Sequence, residues 1–487
     1  MQKKYLNIAV ASALAAMSIG AHAADTYFDN ITPLTSSAGA TATPATPLTL
    51  SSPNFTQVTI ADTKTQNTLV PGSNTGSWDM ITANETGTNA GRYLFMPFET
   101  GSAGVQRVDL WDKNYNTRTV TIVAPGTKGF TSGDASRWTP WGSYLTAEES
   151  WGANSSKGRL FEVTNATTAG ANGGNFVQRS VIPRVSHEGL AFDKQKSMYF
   201  IDELNGGSIY KYVSANPNAT NGDDYFSAGQ TFALKVGNGG QFEGTSGAAI
   251  TGATTWVAIT NATGGAIAGV STVIADGTTN GTIDGRATAD NANVRATGYN
   301  RPEDLEVKTL ANGEEVIFFT TTDSDNNGNT NDGRSRVYHF NTSSNKVEVF
   351  ADSSTTDLAT GLAVGGGLRN ADNLAIDAAG NIYIIEDRNG AEDNDVWLAV
   401  DKNHDGDLLD AGEGLARWVS NGAPGSEITG LYFDKTDPNR AFLNIQHPND
   451  GVDRLVQITA VPEPESYAMF LAGLGLLGFA ARRRSAK

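Results

Sequence analysis

Two stretches of the sequence repeat one pattern and decide the fold: Leu190-Ala191-Phe192-Asp193 before Met198-Tyr199-Phe200-Ile201, and Leu374-Ala375-Ile376-Asp377 before Ile382-Tyr383-Ile384-Ile385. Each stretch holds two short runs that are rich in β-branched and aromatic residues, which strands prefer. Four residues separate the two runs in both copies. The pattern is typical of β structure, and its repetition indicates equivalent units along the chain.

Acids flank the two copies at the same spacing. Glu188 lies fourteen residues before Asp202, and Asp372 lies fourteen residues before Glu386. Equivalent units therefore carry one acid just before a strand and another just after the next strand.

Similar β-rich runs recur along most of the chain. Seven of them follow one another at intervals of roughly 50 to 65 residues, at 93–98, 144–146, 198–201, 256–259, 316–320, 382–385 and 441–445. Most have a further strand after them and several have one before them, so each period holds three or four strands. This predicts an all-β fold, a β-propeller of six or seven blades, in which 93–98 and 256–259 are the runs least certain to mark a blade. An array of β-sandwiches is the alternative.

The N-terminus reads as a secretory signal peptide over residues 1–23. Lys3 and Lys4 precede a short apolar run, and Ala21-His22-Ala23 is a small-residue cleavage site. A transmembrane helix is the alternative, but the apolar run is too short to span a bilayer. We therefore expect the mature chain to begin near Ala24, outside the cytoplasm.

The C-terminus has three parts in a fixed order. Pro462-Glu463-Pro464 comes first, 467–481 carries no charge, and Arg482-Arg483-Arg484 follows. The apolar segment and the arginines would hold the tail transiently in the inner membrane. This tail resembles the PEP-CTERM sorting signal, which implies cleavage by an exosortase-type protease and release to the cell surface or its exopolysaccharide matrix. A plain tail anchor is the alternative.

Charge and composition describe the body between the two ends. The whole chain has a formal charge of −17, and each end contributes two positive charges, which leaves −21 on the body. Such a surface repels nucleic acid and suits cation binding. The chain has no cysteine, so no disulfide supports it. We expect a flexible lead-in with the first strands at 24–60, a propeller domain at 61–460 and the sorting signal at 461–487.

Acids next to predicted strands recur in period after period. They are Glu99, Glu148, Glu149, Glu188, Asp202, Glu203, Glu303, Asp372, Glu386, Asp387 and Glu427. A propeller directs the starts of its inner strands toward one mouth of its channel, so acids at matching positions should converge there. Crowded carboxylates repel one another, and Ca²⁺ with six to eight oxygen ligands relieves the repulsion. We therefore predict a metal-lined mouth; solvated acids at turns are the alternative.

Two residues beside these acids are candidates for catalysis. Arg301 lies two residues before Glu303, where it could hold an anion such as phosphate against a metal. A structural salt bridge is the alternative for Arg301. His187, which directly precedes Glu188, is the second candidate. Another histidine, His447, follows the last of the seven β-rich runs.

Two loops resemble the start of an EF-hand calcium loop. One carries Asp401, Asn403 and Asp405, and the other lies at 323–329. Both lack the glutamate that closes such a site at the twelfth position, so we expect modest affinity at most. Solvated turns are the alternative.

Together these motifs resemble the PhoX family of alkaline phosphatases over about residues 139–458. The matching pieces, in the order of that family, are Thr139-Pro140-Trp141-Gly142 with Glu148-Glu149, Ser186-His187-Glu188, Arg301-Pro302-Glu303, Asp372-Asn373-Leu374, Glu427-Ile428-Thr429-Gly430 and Asn444-Ile445-Gln446-His447-Pro448. The resemblance implies a six-bladed propeller, hydrolysis of small phosphate monoesters, and calcium plus iron at the channel mouth. It also implies metal binding by Glu148, Glu149, Asp202, Glu303 and Glu427, and phosphate binding by Arg301.

The chain departs from that family in two places. Other members carry a cysteine ahead of the Trp-Gly segment as an iron ligand, whereas this chain has Asp134 and Ser136 in that region. A glutamate of the family appears here as Asp202, with Glu203 after it. An oxygen-only site favours Ca²⁺, Mg²⁺ or Mn²⁺ over thiolate-bound iron. We therefore predict a secreted calcium-dependent phosphomonoesterase; the alternatives are a non-catalytic calcium-stabilised matrix or binding propeller and a propeller esterase or lactonase.

Overall fold

The two repeated stretches form β-hairpins, and each hairpin opens a sheet of antiparallel strands. The structure is a computed structural model that describes residues 26–149, 155–274, 282–322, 333–388 and 394–461. Within these residues, six four-stranded units lie around a central channel, and each packs against the next through its first strand. The fold is the all-β propeller that the sequence predicted, with six blades.

The first three blades are each formed by four consecutive strands. The strands β1 (Leu48–Leu50) and β2 (Phe55–Asp62) precede them and join later blades. Blade 1 consists of β3 (Thr82–Ala83), β4 (Tyr93–Pro97), β5 (Val105–Asp109) and β6 (Thr119–Val123). Blade 2 consists of β7 (Gly133–Trp138), β8 (Tyr144–Glu148), β9 (Leu160–Val163) and β10 (Phe176–Gln178). Blade 3 consists of β11 (Leu190–Phe192), β12 (Met198–Ile201), β13 (Ile209–Ser214) and β14 (Gly229–Val236).

Additional strands lie between blade 3 and the later blades. A fifth strand, β15 (Gly252–Ala258), extends blade 3, and β16 (Thr272–Ile274) with β17 (Thr282–Asp284) forms a separate hairpin. Blade 4 consists of β18 (Pro302–Thr309), β19 (Glu315–Thr321), β20 (Arg336–Asn341) and β21 (Lys346–Ala351). The short strands β22 (Thr356–Asp357) and β23 (Leu362–Ala363) follow and border blade 5.

The last two blades close the ring with strands from near the N-terminus. Blade 5 consists of β24 (Ala371–Ile376), β25 (Ile382–Glu386), β26 (Asp395–Val400) and β27 (Gly414–Asn421), and β1 pairs with β27. Blade 6 consists of β28 (Glu427–Phe433), β29 (Arg440–Gln446) and β30 (Arg454–Ala460), with β2 as its outer strand. The register runs from Phe55 opposite Ala460 to Asp62 opposite Arg454, so both ends of the described chain share one sheet.

Among the residues that the structure describes, helical segments are short and lie between strands. The α-helices are α1 (Thr63–Leu69), α2 (Gly222–Tyr225), α3 (Glu243–Ser246) and α4 (Gly285–Ala289), and 3₁₀ turns occur at Thr127–Gly129 and Gly365–Gly367. Among the described residues, no helix has both the length and the apolar character needed to span a membrane.

The core consists of one hydrophobic cluster at each of the six interfaces between neighbouring blades. Strand β25 shows how the sequence builds two of them. Ile382 and Ile384 pack toward blade 4, whereas Tyr383 and Ile385 pack toward blade 6. Successive side chains of a strand point to opposite faces, and both faces of a blade are covered. This is why the runs in the sequence are apolar throughout rather than alternating.

Six of the seven predicted β-rich runs mark blades, and the seventh is an extra strand. Six of the runs lie on the second strands of the six blades, including 93–98 on β4 of blade 1. The run at 256–259 lies mainly on β15, which is an extra edge strand of blade 3. The predicted signal peptide, the sorting tail from Pro462 onward and the loop at 323–329 lie outside the described residues.

Candidate metal centre

A cavity of about 520 Å³ opens at the mouth of the channel where the inner strands begin. We call it the acidic cavity, because ten of the described side chains that line it are carboxylates. They are Asp79, Glu99, Asp134, Glu149, Glu188, Glu203, Glu303, Asp372, Asp387 and Glu427. Arg301 and His447 are the basic groups among these lining residues.

The six blades supply these acids by a common rule. Each blade places one acid at or just before the start of its first strand, and in ring order these are Asp79, Asp134, Glu188, Glu303, Asp372 and Glu427. Five blades place a second polar group just after their second strand, and these are Glu99, Glu149, Glu203, Asp387 and His447. In a hairpin the start of the first strand and the end of the second lie at the same end. Both sets therefore meet at one mouth.

Two groups of three acids are close enough to hold an ion. Asp79, Asp134 and Glu188 bring carboxylate oxygens within 4.8 Å of one another, and so do Glu188, Glu203 and Glu303. Calcium binds oxygens at about 2.3 to 2.6 Å, so oxygens around one ion lie up to about 5 Å apart. Both groups fit a divalent cation, and Glu188 belongs to both.

Hydrogen bonding in the cavity supports the same conclusion. The buried oxygens Asp134 Oδ1 and Glu427 Oε2 accept no hydrogen bond from any described residue. Buried polar atoms without a partner are uncommon in native proteins, and an ion is one of the usual reasons for them. The donors present are oxygens, which calcium, magnesium and manganese prefer. The residues of this cavity therefore fit a hard divalent cation.

Burial makes deprotonation of the cavity acids unfavourable when no cation is bound. It raises the pKa of Asp134 and of Glu188 well above the usual carboxyl range, and repulsion from neighbouring acids adds to the effect at both groups. The pKa values of Glu303 and Asp372 are raised for the same main reason, although Arg301 opposes the rise at both. Divalent cations stabilise the deprotonated forms of such groups.

Arg301 is held firmly at the edge of this cluster. Its Nε and Nη2 donate to Glu203 Oε1, and its Nη2 lies 3.3 Å from Glu303 Oε1. Burial alone would lower the pKa of the guanidinium. The negative charges of Glu303 and Glu203 outweigh this effect, so the pKa lies well above its ordinary value and the group stays charged. Its backbone has φ of 33°, a left-handed conformation that is uncommon for a residue with a side chain.

A polar side chain next to the acids joins three blades. Asn373 Nδ2 lies 3.5 Å from Glu188 Oε1, and its Oδ1 accepts a hydrogen bond of 2.7 Å from the N–H of Gly430. Gly430 has φ of 48°, and a Cβ there would lie 2.8 Å from Ile81 N, so this close approach requires glycine. Asn373 thereby links blades 3, 5 and 6 beneath the acids.

Three predicted ligands lie outside the acidic cavity. Glu148 accepts hydrogen bonds from Arg159, Asp202 accepts one from Ser186 N, and Glu386 accepts one of 2.9 Å from Trp397 Nε1. Each directly precedes a residue that does line the cavity, namely Glu149, Glu203 or Asp387. Neighbouring residues of an extended chain point to opposite sides, so only one acid of each pair reaches the channel mouth.

The two histidines of the motifs lie in different surroundings. His187 is fully buried behind the cavity wall, with its ring 5.3 Å from that of Phe200. Burial and then Arg286 lower its pKa to about 3, so it is neutral at pH 7. His447 lies at the cavity rim, half-exposed, with Nε2 at 3.5 Å from Glu427 Oε1.

The loop with Asp401, Asn403 and Asp405 lies on another part of the molecule and uses its polar groups internally. Asp401 accepts hydrogen bonds from the N–H groups of Asp405 and Gly406. Asp401 Oδ2 also lies 3.5 Å from Lys308 Nζ, and Asn403 Nδ2 donates to Asp405 Oδ2. The loop is therefore a turn in which the polar groups hydrogen-bond to one another and Asp401 contacts Lys308.

One residue of the cavity has no counterpart in the sequence analysis. Asp79 precedes β3, which has only two residues, so no β-rich run marks its position. The available signal is the blade pattern: Glu99 follows the second strand of blade 1, and an acid before the preceding strand completes that pattern. Asp134 also lines the cavity, whereas Ser136 faces away from it and lies 3.3 Å from the carbonyl oxygen of Phe95.

Comparisons with known proteins cover most of the chain. The family model "Alkaline phosphatase PhoX" matches residues 131–449, which is more than half of the chain. The model "PEP-CTERM protein-sorting motif" matches residues 460–484. No curated protein sequence matches the chain significantly.

One solved structure shows the same architecture. Pseudomonas fluorescens PhoX in complex with vanadate, a transition state analogue, is 15% identical, with 88% of this chain and 97% of that chain covered and a TM-score of 0.60. An α-L-arabinofuranosidase of Fusarium graminearum in complex with an iminosugar inhibitor is 10% identical, with 79% and 93% of the two chains covered, and its TM-score is 0.36. At these identities the first comparison shows the fold, and the second carries no argument.

Proposed function

The chain belongs to the alkaline phosphatase PhoX family, and on that premise we propose that it is an exported, metal-dependent phosphatase that hydrolyses phosphate monoesters at the acidic cavity. The observation that carries the proposal is the convergence of acids from all six blades around one charged arginine. Metal ions bound by these acids would place positive charge next to Arg301, and the two together suit a phosphate dianion.

We propose calcium as the principal metal. The chain has no cysteine, and oxygen ligands favour hard cations over thiolate-bound iron. The proposed ligands are Glu149, Glu203, Glu303, Asp372 and Glu427 from the sequence analysis, together with Asp79, Asp134 and Glu188. Asp134 would act where other family members use a cysteine, because it lies ahead of the Trp-Gly segment and lines the cavity.

The side chains of this protein have separate tasks in that reaction. When bound, divalent cations neutralise the charge of the phosphate group and activate the attacking water. Arg301 donates hydrogen bonds to phosphate oxygens, and Glu203 fixes the plane of its guanidinium group. His187 packs behind the cavity wall, and we propose no proton transfer by it, since it is buried and neutral.

The PEP-CTERM motif indicates export and sorting to the cell surface by an exosortase-type enzyme. We propose that residues 1–23 are removed as a signal peptide, that 461–487 anchor the protein transiently in the inner membrane, and that cleavage releases it to the surface or the exopolysaccharide matrix. The domain between them is proposed to be the propeller.

The purified protein should hydrolyse p-nitrophenyl phosphate after loading with Ca²⁺, and vanadate should inhibit it. The assay is run after chelation, after chelation and Ca²⁺ addition, and with added iron, and bound metal is measured by mass spectrometry. Metal-dependent stability without turnover under every condition would favour a calcium-stabilised binding propeller. Turnover of carboxyl esters alone would favour an esterase or lactonase.

A further inference from the structure

The described chain ends on the side of the propeller that lies away from the acidic cavity. Strand β30 starts at Arg454, opposite Ile445, and runs to Ala460. The N–H of Ala460 donates to the carbonyl of Asn439, and the N–H of Val461 donates to the carbonyl of Asn54 at 3.0 Å. Asn439 lies in the loop that follows β28, whereas the acidic cavity is reached from the start of β28.

A second cavity marks that other side. It has a volume of about 450 Å³, and we call it the opposite cavity. The ends of inner strands from five blades line it, and Asp434 and Lys435 belong to the same loop as Asn439. The sorting motif thus begins on the same side of the propeller as the opposite cavity, because it matches from residue 460 onward.

From this geometry we propose that the acidic cavity points away from the bilayer while the sorting tail is still in the membrane. The enzyme can therefore bind small substrates before the tail is removed, and cleavage changes its location rather than its activity. The interaction surface toward the lipid is the side with the opposite cavity. This inference rests on the proposed membrane anchoring and, for the activity, on the proposed phosphatase function.

The length of the linker supports the orientation. Six residues, from Val461 to Ser466, separate the last strand from the uncharged segment that begins at Tyr467. Fully extended, six residues span about 20 Å. The seven residues of β30 already span about 20 Å from the cavity side to the tail side. The linker would have to run fully stretched along the outside of blade 6 to bring the acidic cavity to the membrane.

Single cysteines test the orientation, since the chain has none of its own. Lys435→Cys lies in the loop before β29 on the tail side, and Asn449→Cys lies in the loop after β29 on the cavity side, so the pair is matched within one blade. Each variant keeps its tail, carries a donor dye at the cysteine, and is reconstituted into liposomes that contain a lipid-linked acceptor. We expect clearly higher energy transfer from position 435 than from position 449.

Equal transfer or the reverse order would overturn the orientation. The same variants ended at Val461 provide the baseline, and transfer no higher than that baseline at both positions would overturn the inference as well. This measurement needs no turnover, so it is decided even if the protein proves not to be a phosphatase.

The activity of the anchored form is tested with the unlabelled natural sequence. We expect kcat/KM for p-nitrophenyl phosphate in liposomes to lie within about twofold of that of the chain ended at Val461. If kcat/KM of the anchored form is lower than that of the shortened chain by about tenfold or more, the conclusion that the cavity is accessible before cleavage is overturned.

Discussion

The two ends of the channel are built largely by the same inner strands, yet they treat charge in opposite ways. In the opposite cavity, two acids have close basic partners: Arg137 lies 2.6 Å from Glu306, and Lys435 lies 2.6 Å from Glu85. In the acidic cavity, ten carboxylates share Arg301 and the half-exposed His447. An acid paired with a basic side chain stabilises the fold locally. Crowded acids with too few basic side chains need bound metal ions to offset their repulsion. The difference supports placing the proposed metal site at the acidic cavity.

The largest effect should follow from removing the acid that both candidate ion sites share. We expect Glu188→Gln to lose bound calcium and to lower kcat/KM by about 1000-fold or more, because a neutral amide replaces a charged ligand in both groups of acids. The matched control is Glu306→Gln in the opposite cavity, which should keep its metal and its activity. Metal analysis and initial rates measure both variants. Full metal content in the Glu188 variant would contradict the shared-ligand interpretation.

A smaller effect should separate the two arginines. Arg301→Ala should keep its calcium and lower kcat/KM by about 30- to 1000-fold, the usual result of losing one charged hydrogen-bond donor at a reacting group. Arg137→Ala should keep kcat/KM and lower the free energy of unfolding by about 1 kcal/mol, since its ion pair is partly exposed. Melting temperature, bound calcium and rate are measured for both. If Arg301→Ala loses calcium and melting temperature together, Arg301 is a structural residue.

The smallest effect concerns the pH dependence of the metal-free protein. Burial raises the pKa values of cavity acids such as Asp134, Glu188 and Glu303. It also raises those of Asp202 and Asp304 from 3.8 to about 7. The folded state then binds protons more tightly than the unfolded state, so stability is greatest below the ordinary carboxyl pKa and is lost as the pH rises toward 7. We expect the melting temperature with chelator to fall between about pH 4 and pH 7.

Saturating calcium should change that profile, because calcium binds the deprotonated carboxylates and its stabilising effect grows with pH. Thermal unfolding at several pH values, with chelator and with calcium, measures both curves. A metal-free protein that becomes more stable as the pH rises would show that the acids are not crowded as described.

The comparison also shows what the sequence could predict. Strand runs such as 382–385 are visible because both of their faces are buried between blades, and their recurrence predicts the propeller. The acidic mouth was predictable as a region, since the acids lie at matching positions. The choice between neighbouring acids was not, because it depends on the residue at which a strand ends: Glu148 turns to Arg159, while Glu149 lines the cavity. Asp79 was not predictable from runs, because its strand is too short to form one.

The pairing of β2 with β30 has a consequence for the rate at which the protein folds. The N–H of Asp453 donates to Thr63 Oγ1 across 390 residues of sequence, so the last blade is complete only after nearly the whole chain is available. Contacts between distant residues slow folding, because the entropy of closing a long loop is lost before the contact forms. We expect the final step of folding, the closure of the ring, to be slow. We also expect the closed ring to open slowly on unfolding. Such kinetic stability suits a protein without disulfides that works outside the cell.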